Sequence, residues 1–254
     1  MKLTSRTVLI TGGTSGIGQE MARQLLRRGN TVIVTGRDPR KLDATSGALP
    51  GVHVIPSDVS DPADVVNLCE TVIRRFPALD SLINNAGIMR NLNLNLPRDL
   101  HDICREIEIN LCGPIRMVQQ FLPHLKTRKD ALIVNVSSGL AFVPLPIAPI
   151  YCATKAAMHS FTQSLRMQLA GTGVIAVELA PPGTETPLLR GEFAQEMQSH
   201  KGMDVAVLVE RAIAGIEAGN TEIRPGVANV LKAMSRLAPQ FMLKQLMKMV
   251  AIKP

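Results

Sequence analysis

A single doubly wound α/β domain with a mostly parallel sheet is the fold this sequence predicts, and three observations predict it. Short runs of β-branched and aliphatic residues recur up to Leu179, each followed by a helix-compatible stretch. The runs are continuously apolar rather than alternating, which marks strands covered on both faces. A glycine cluster stands between the first run and the first helix, where open α/β sheets hold phosphates.

In chain order, Thr7–Thr11 reads as the first strand, and a helix runs from the glycine cluster to Arg28, stopped by Gly29-Asn30. Thr31–Thr35 is the second strand, with a short helix at Pro39–Leu49 ended by Pro50-Gly51. Val52–Pro56 is the third, and Asp61-Pro62 opens another helix with proline in its first turn. Leu79–Asn84 is the fourth strand, and one long helix is predicted from about Pro97 to Lys126. The fifth strand, Ala131–Val136, is followed by a long helix from Pro149 to Ala170 and the sixth strand, Val174–Leu179. Right-handed crossovers leave few other topologies. The predicted domain covers residues 1–226, with a polar, irregular, lid-like segment at about 183–204 beyond the sixth strand; a plain packing helix pair is the alternative there.

The 254 residues suffice for one well-buried α/β domain. No run approaches the length of a membrane span, and the N-terminus lacks the apolar stretch of a secretory signal. Cys69, Cys104, Cys112 and Cys152 form no Cys-x-x-Cys pair, so reduced thiols in a cytoplasmic protein are expected, with no metal site. The net charge of +7 is local: after Glu222 come Arg224, Lys232, Arg236, Lys244, Lys248 and Lys253 with no acidic residue. With few aromatics and no nucleic-acid-binding motif, no nucleic-acid partner is expected.

In Thr11-Gly12-Gly13-Thr14-Ser15-Gly16-Ile17-Gly18, Gly12 permits a tight turn, Gly16 lets backbone approach a pyrophosphate, and Gly18 allows close helix packing. Gly36-Arg37 stands at the end of the second strand, where an acidic residue would favour NAD; Arg37 suits the 2′-phosphate of NADP instead. Asp38 is positioned to cap the next helix. Asp58-Val59 and Asn84-Asn85-Ala86-Gly87 end the third and fourth strands with small and amide side chains that leave room for a flat adenine, although Asn-Asn-Ala-Gly alone is also a plain strand stop. Tyr151, the sole tyrosine, and Lys155 share a helix face, where the ammonium is expected to lower the phenol's pKa. Ser138, just past the fifth strand, would hydrogen-bond the same substrate oxygen.

The set TGGTSGIG, DV, NNAG, Asn110, Ser138 and YCATK, in this order over about residues 5–190, resembles the short-chain dehydrogenase/reductase family. SGLAF with YCATKAAMHSF resembles its DltE-type branch more narrowly. The resemblance implies a Rossmann-type fold and a catalytic tetrad of Asn110, Ser138, Tyr151 and Lys155. In the family the asparagine holds a relay water and the lysine bonds the nicotinamide ribose; taken alone, Asn110 could equally be a helix-kink residue. The resemblance also places Pro181, Thr184 and Thr186 beside the nicotinamide, but Pro182 stands where the family has glycine. The expected activity is NADP(H)-dependent hydride exchange (NAD(H) being the other option) with a carbonyl or alcohol carbon of an apolar small molecule. The alternatives are a non-catalytic NADP(H)-binding regulator, against which the intact Ser–Tyr–Lys set argues, and an epimerase or dehydratase. Ile88, Met89, Leu140, Phe142, Leu145 and Leu188 are candidate pocket walls, and a homodimer or homotetramer through residues 100–125 and 150–170 is expected.

Residues 227–254 form a predicted helical tail. Its stretch 239–250 is amphipathic and basic, with Lys244 and Lys248 four apart among Phe241, Leu246 and several methionines. Packing on the domain or a partner subunit, peripheral membrane contact, and a wall of the substrate site all remain open for it.

Overall fold

The computed structural model describes residues 1–198 and 201–249. The strands are β1 (Thr7–Thr11), β2 (Thr31–Gly36), β3 (His53–Pro56), β4 (Leu79–Asn84), β5 (Ala131–Val136), β6 (Val174–Leu179) and β7 (Glu222–Ile223). They form one parallel sheet in the order β3-β2-β1-β4-β5-β6-β7. Val8, Leu9 and Ile10 are buried, as are Leu132, Ile133 and Val134, because helices cover both faces. β7 was not anticipated; two residues are too few to show a strand period.

On one face lie α1 (Gly16–Arg27) and α9 (Val205–Glu217), packed over Ile10, Val34, Val134 and Val177. The other face carries α3 (Pro62–Arg75), α6 (Gly113–Leu125) and α7 (Pro149–Gln168), over Leu9, Leu82 and Ile133. The short helix α2 (Pro39–Ala48) follows β2. Asp38 caps it by accepting from the Arg40 and Lys41 amides at 3.0 and 3.4 Å, as its position predicts.

The helix expected from Pro97 to Lys126 is broken. It consists of α4 (Leu100–Ile103), α5 (Arg105–Ile107), a π-helical turn at Glu108–Cys112, and α6. Pro114 explains the break: it has no N–H for the carbonyl four residues back, at Asn110, and its ring crowds that position. The start shifts to Leu100 because Asp99 caps it, accepting from the Asp102 amide at 2.9 Å.

α8 (Pro187–Arg190) lies in the lid-like segment, of which residues 199–200 fall outside the described residues. The tail forms α10 (Val227–Leu237) and α11 (Pro239–Met249); its residues 250–254 fall outside them too. α10 is attached to the domain: Lys232 bonds Glu222, and Leu231 lies over Gly139. Among the described residues all four cysteines are free, and no helix is long and apolar enough to cross a membrane.

Candidate active site at the carboxyl ends of the strands

The strand order reverses direction between β1 and β4, so the loops after these strands diverge and leave a crevice at their carboxyl ends. A cavity of about 1020 Å³ occupies it. Gly12, Thr14, Ser15, Gly16 and Ile17 line it after β1, and Arg37 after β2. Asp58 and Val59 line it after β3, and Asn85, Ala86 and Gly87 after β4. Ser138 lines it after β5, Tyr151 and Lys155 line it from α7, and Pro181, Thr184 and Thr186 line it after β6.

The glycine loop is shaped by close approaches. Gly12 has φ +64°, and a Cβ there would lie 2.8 Å from the Ala86 Cα. At Gly18 a Cβ would lie 2.5 Å from the Gly12 carbonyl oxygen and 2.4 Å from the Asn85 amide nitrogen. Gly18 does not line the cavity; it works from behind, letting α1 close onto the loop. A Gly18→Ala variant is expected to lose about 1–3 kcal/mol of stability, because one obstacle is backbone that cannot swing aside. Urea unfolding measures this, and an unchanged midpoint would refute it.

Ser15 begins α1 without making a side-chain capping bond. The first amides of a twelve-residue helix therefore face the crevice with a positive dipole end. Asn85 locks the loop in place, donating to the Thr11 and Gly12 carbonyls at 3.0 Å each. The Thr11 hydroxyl accepts from the Asn85 and Ala86 amides at 3.0 and 3.1 Å. Arg37 is half exposed, with its nearest carboxylate, Asp58, at 3.9 Å. Burial raises the Asp58 pKa, but hydrogen bonds from Ser60 and the charges of Arg37 and Arg105 outweigh it and hold the carboxyl low. A loop with no room for Cβ atoms, open helix amides and a half-exposed guanidinium only loosely paired with Asp58 fit a dinucleotide phosphate chain.

Ser138 caps the 3-10 turn Gly139–Ala141, its oxygen accepting from the Leu140 amide at 3.1 Å, and its hydroxyl stands near enough to Tyr151 to favour the phenolate. Lys155, one turn after Tyr151 on α7, has its Nζ 5.5 Å from the Tyr151 ring centre and donates to the Val136 carbonyl at 2.9 Å. Burial pushes the Tyr151 phenol up, and the Ser138 hydroxyl works against that. Burial also lowers Lys155 to about 8. The phenol thus departs upward, opposite to the expectation, because burial makes the phenolate costly and the neighbouring Cys152 and Glu106 add to that.

Asn110 lies in the π-helical turn, where its side chain grips a neighbouring loop. Its Oδ1 accepts from the Ile88 amide and its Nδ2 donates to the Ile88 carbonyl, both at 2.8 Å. It does not line the cavity. A Cβ on Gly87 would lie 3.2 Å from the Asn110 Oδ1 and 3.7 Å from the Lys155 Nζ. Asn110 therefore stands directly behind the wall at Lys155. Its side chain thereby fixes the Gly87–Ile88 wall of the crevice.

Of the proposed apolar walls, Ile88, Met89, Leu140, Leu145 and Leu188 line the cavity. Phe142 does not; it packs edge-on against His159, 5.1 Å between ring centres, beneath the Lys232 ammonium. Met197 from the lid-like segment and Leu231, Met242 and Leu246 from the tail also line the cavity, so both segments are walls of the site. Leu246 packs on the cluster that holds Tyr151, Leu189 and Phe193.

One polar group went unread in the sequence. Glu178 on β6 is fully buried, and its carboxylate accepts from the Ser137 hydroxyl and meets His159 Nδ1 at 2.7 Å. A lone acid within an apolar strand was the available signal.

A model of the short chain dehydrogenase family matches residues 6–197. The oxidoreductase DltE of Bacillus subtilis (strain 168), itself uncharacterized, is 40% identical over 224 residues, covering 88% of this chain and 89% of DltE. A short chain dehydrogenase from Burkholderia cenocepacia in complex with NADP superposes with a TM-score of 0.84 at 26% identity, covering 100% of both chains. The 3-ketoacyl-(acyl-carrier-protein) reductase from Brucella melitensis complexed with NADH gives 0.76 at 30% identity, covering 85% of this chain and 91% of that one.

Proposed function

The chain belongs to the short chain dehydrogenase family, and from that premise we propose that it is an NADP(H)-dependent oxidoreductase acting on a carbonyl or alcohol carbon of an apolar small molecule. The observation that carries this reading is the convergence of Ser138, Tyr151 and Lys155 on the same crevice that the glycine loop at residues 12–16 lines. When bound, the nicotinamide supplies or accepts a hydride.

Gly12, Thr14, Ser15, Gly16 and Ile17 would hold the pyrophosphate, with Asp58, Val59, Ala86 and Gly87 flanking the adenosine end. Thr184, Thr186 and Pro181 would flank the nicotinamide, whose ribose Lys155 would hold. The Tyr151 hydroxyl donates its proton to the substrate carbonyl oxygen, or accepts one in the reverse direction. Ser138 hydrogen-bonds that oxygen as negative charge develops on it. Lys155, still largely protonated at pH 7 with a pKa of about 8, stabilises the phenolate that proton donation leaves.

Arg37 and Lys41 beside the crevice, with the Asp38 carboxylate engaged in capping α2, support a preference for a 2′-phosphate over a bare ribose hydroxyl. Replacing Arg37 by Asp is expected to weaken NADPH binding about 10- to 100-fold, the range of a lost charge-assisted contact, while NADH binding holds or improves. Fluorescence titration with both nucleotides tests this, and an unchanged NADPH affinity would remove the basis for the preference.

The walls Met89, Leu140, Leu145, Met197, Leu231, Met242 and Leu246 support an apolar substrate. The exposed Leu100, Ile107 and Ile115 on α4–α6, and Met167 on α7, support a homo-oligomer through those helices. Nicotinamide oxidation followed across a panel of ketones and aldehydes of rising chain length, with NADPH and NADH in parallel, tests the whole reading. Turnover of none of them with either nucleotide would count decisively against it.

A further inference from the structure

We propose that the outer face of α11 is a docking surface for an anionic phospholipid bilayer. The face is unusual for a helix at the edge of a globular domain. Leu246 and Met242 turn inward to the crevice, as an amphipathic packing helix requires. The opposite side, at spacings of three and four residues from Phe241 and Lys244, carries Phe241, Lys244, Met247 and Lys248, all exposed. Phe241 is 54% exposed, and Leu237 at the joint with α10 is 80% exposed.

Large apolar side chains interleaved with cations fit an interface where the rings and thioethers enter the acyl boundary and the ammonium groups meet phosphate headgroups. Charge decides between a bilayer and a second copy of this chain. Arg224 and Lys232 are engaged by Glu222, but Arg236, Lys244 and Lys248 have no carboxylate within ion-pair distance among the described residues. The sequence offers no acidic residue after Glu222 to serve them. A two-fold pairing would set this patch against its own copy and bring like charges together, whereas an anionic surface supplies the counter-charge.

Delivery of substrate follows from the same helix, and this step alone rests on the oxidoreductase reading. The inner face of α11 forms a wall of the crevice next to Tyr151. An apolar molecule dissolved in the bilayer would therefore need to pass only one helix to reach the site. The substrate class implied is a carbonyl or alcohol that partitions into lipid.

The test uses the full-length protein sedimented with phosphatidylcholine vesicles or with vesicles containing phosphatidylglycerol, and reads no turnover. Sedimentation with the anionic vesicles only is expected, and it should be lost near 1 M salt, where screening shortens to about 3 Å. Phe241→Ser and the pair Lys244→Gln with Lys248→Gln should each weaken partitioning, the pair roughly 25-fold at about 1 kcal/mol per cation. Circular dichroism melting shows whether these variants remain folded, and gel filtration reads their assembly. Equal sedimentation of wild type and folded variants, or none with either vesicle, overturns the proposal. A variant that changes the oligomeric state without any vesicle binding also overturns it and assigns the face to a second copy. Because nicotinamide turnover is assayed separately on water-soluble carbonyls, failure here leaves the oxidoreductase reading standing, and the converse holds as well.

Discussion

Replacing Tyr151 by Phe is expected to lower kcat by about 10²- to 10⁴-fold, the contribution of a positioned proton donor, with NADPH affinity changed by less than about twofold. The ring keeps its place in the buried cluster that also holds Leu145, Leu189 and Phe193, so the fold should tolerate the loss of one oxygen. No other tyrosine exists in the chain to substitute. Ser138 would keep its bond from the Leu140 amide and could still polarise the carbonyl, which sets the residual rate. The two measurements must be made together: a parallel fall in NADPH affinity would mean that the variant damaged the crevice rather than the proton transfer. Turnover within tenfold of wild type would remove Tyr151 from the reaction, and with it the proposed mechanism.

Lys155→Met is expected to abolish turnover while making the protein more stable at neutral pH. A lysine in an unfolded chain titrates near 10.5, whereas the buried Lys155 titrates at about 8. Below pH 8 the ammonium is present in both states, and its burial cost is fully felt. Between 8 and 10.5 the unfolded chain binds more protons than the folded one, so this residue's penalty shrinks as pH rises. The full span, 10.5 less 8 at 1.36 kcal/mol per unit, is roughly 3 kcal/mol. The methionine also gives up the bond to the Val136 carbonyl, about 1 kcal/mol, so the net gain at pH 7 should be about 2 kcal/mol.

Tyr151, raised by burial, and Cys69 and Cys152, each pushed up to about 11, act in the opposite sense at alkaline pH, since the unfolded forms ionise first. Wild-type stability alone therefore mixes these groups, and the difference between variant and wild type isolates the lysine. Urea unfolding across pH 7 to 10.5 should show the variant's advantage shrinking as pH rises. An advantage independent of pH, or a variant less stable at pH 7, would mean that the ammonium is already compensated where it lies. The expected exchange of stability for function is ordinary for an ionisable group kept dry in an active site.

Much of the crevice was readable because its signals are local. Backbone at Gly12 and Gly16 adopts positive φ, and glycine is the residue type that does so without strain. Tyr151 and Lys155 meet because residues four apart in a helix share a face. Asp38 declares its capping role by standing directly before Pro39. What went unread has a different cause. Asn110 grips Ile88, 22 positions earlier in the chain, and Phe142, expected in the pocket wall, packs on His159 instead. Nothing in the spacing of Ser137, His159 and Glu178 announces that β5, α7 and β6 bring them together.

The amino-acid order by itself determined the strand and helix sequence up to Leu179, the phosphate loop, and the pairing of Tyr151 with Lys155. Those features depend on periodicity and on the conformational freedom of single residues, which are written within a few positions. Only the tertiary structure decided that the tail walls the site, that Phe142 faces away from it, and that burial pushes the phenol up. These depend on desolvation and on contacts between distant segments, and such quantities exist only once the chain has packed.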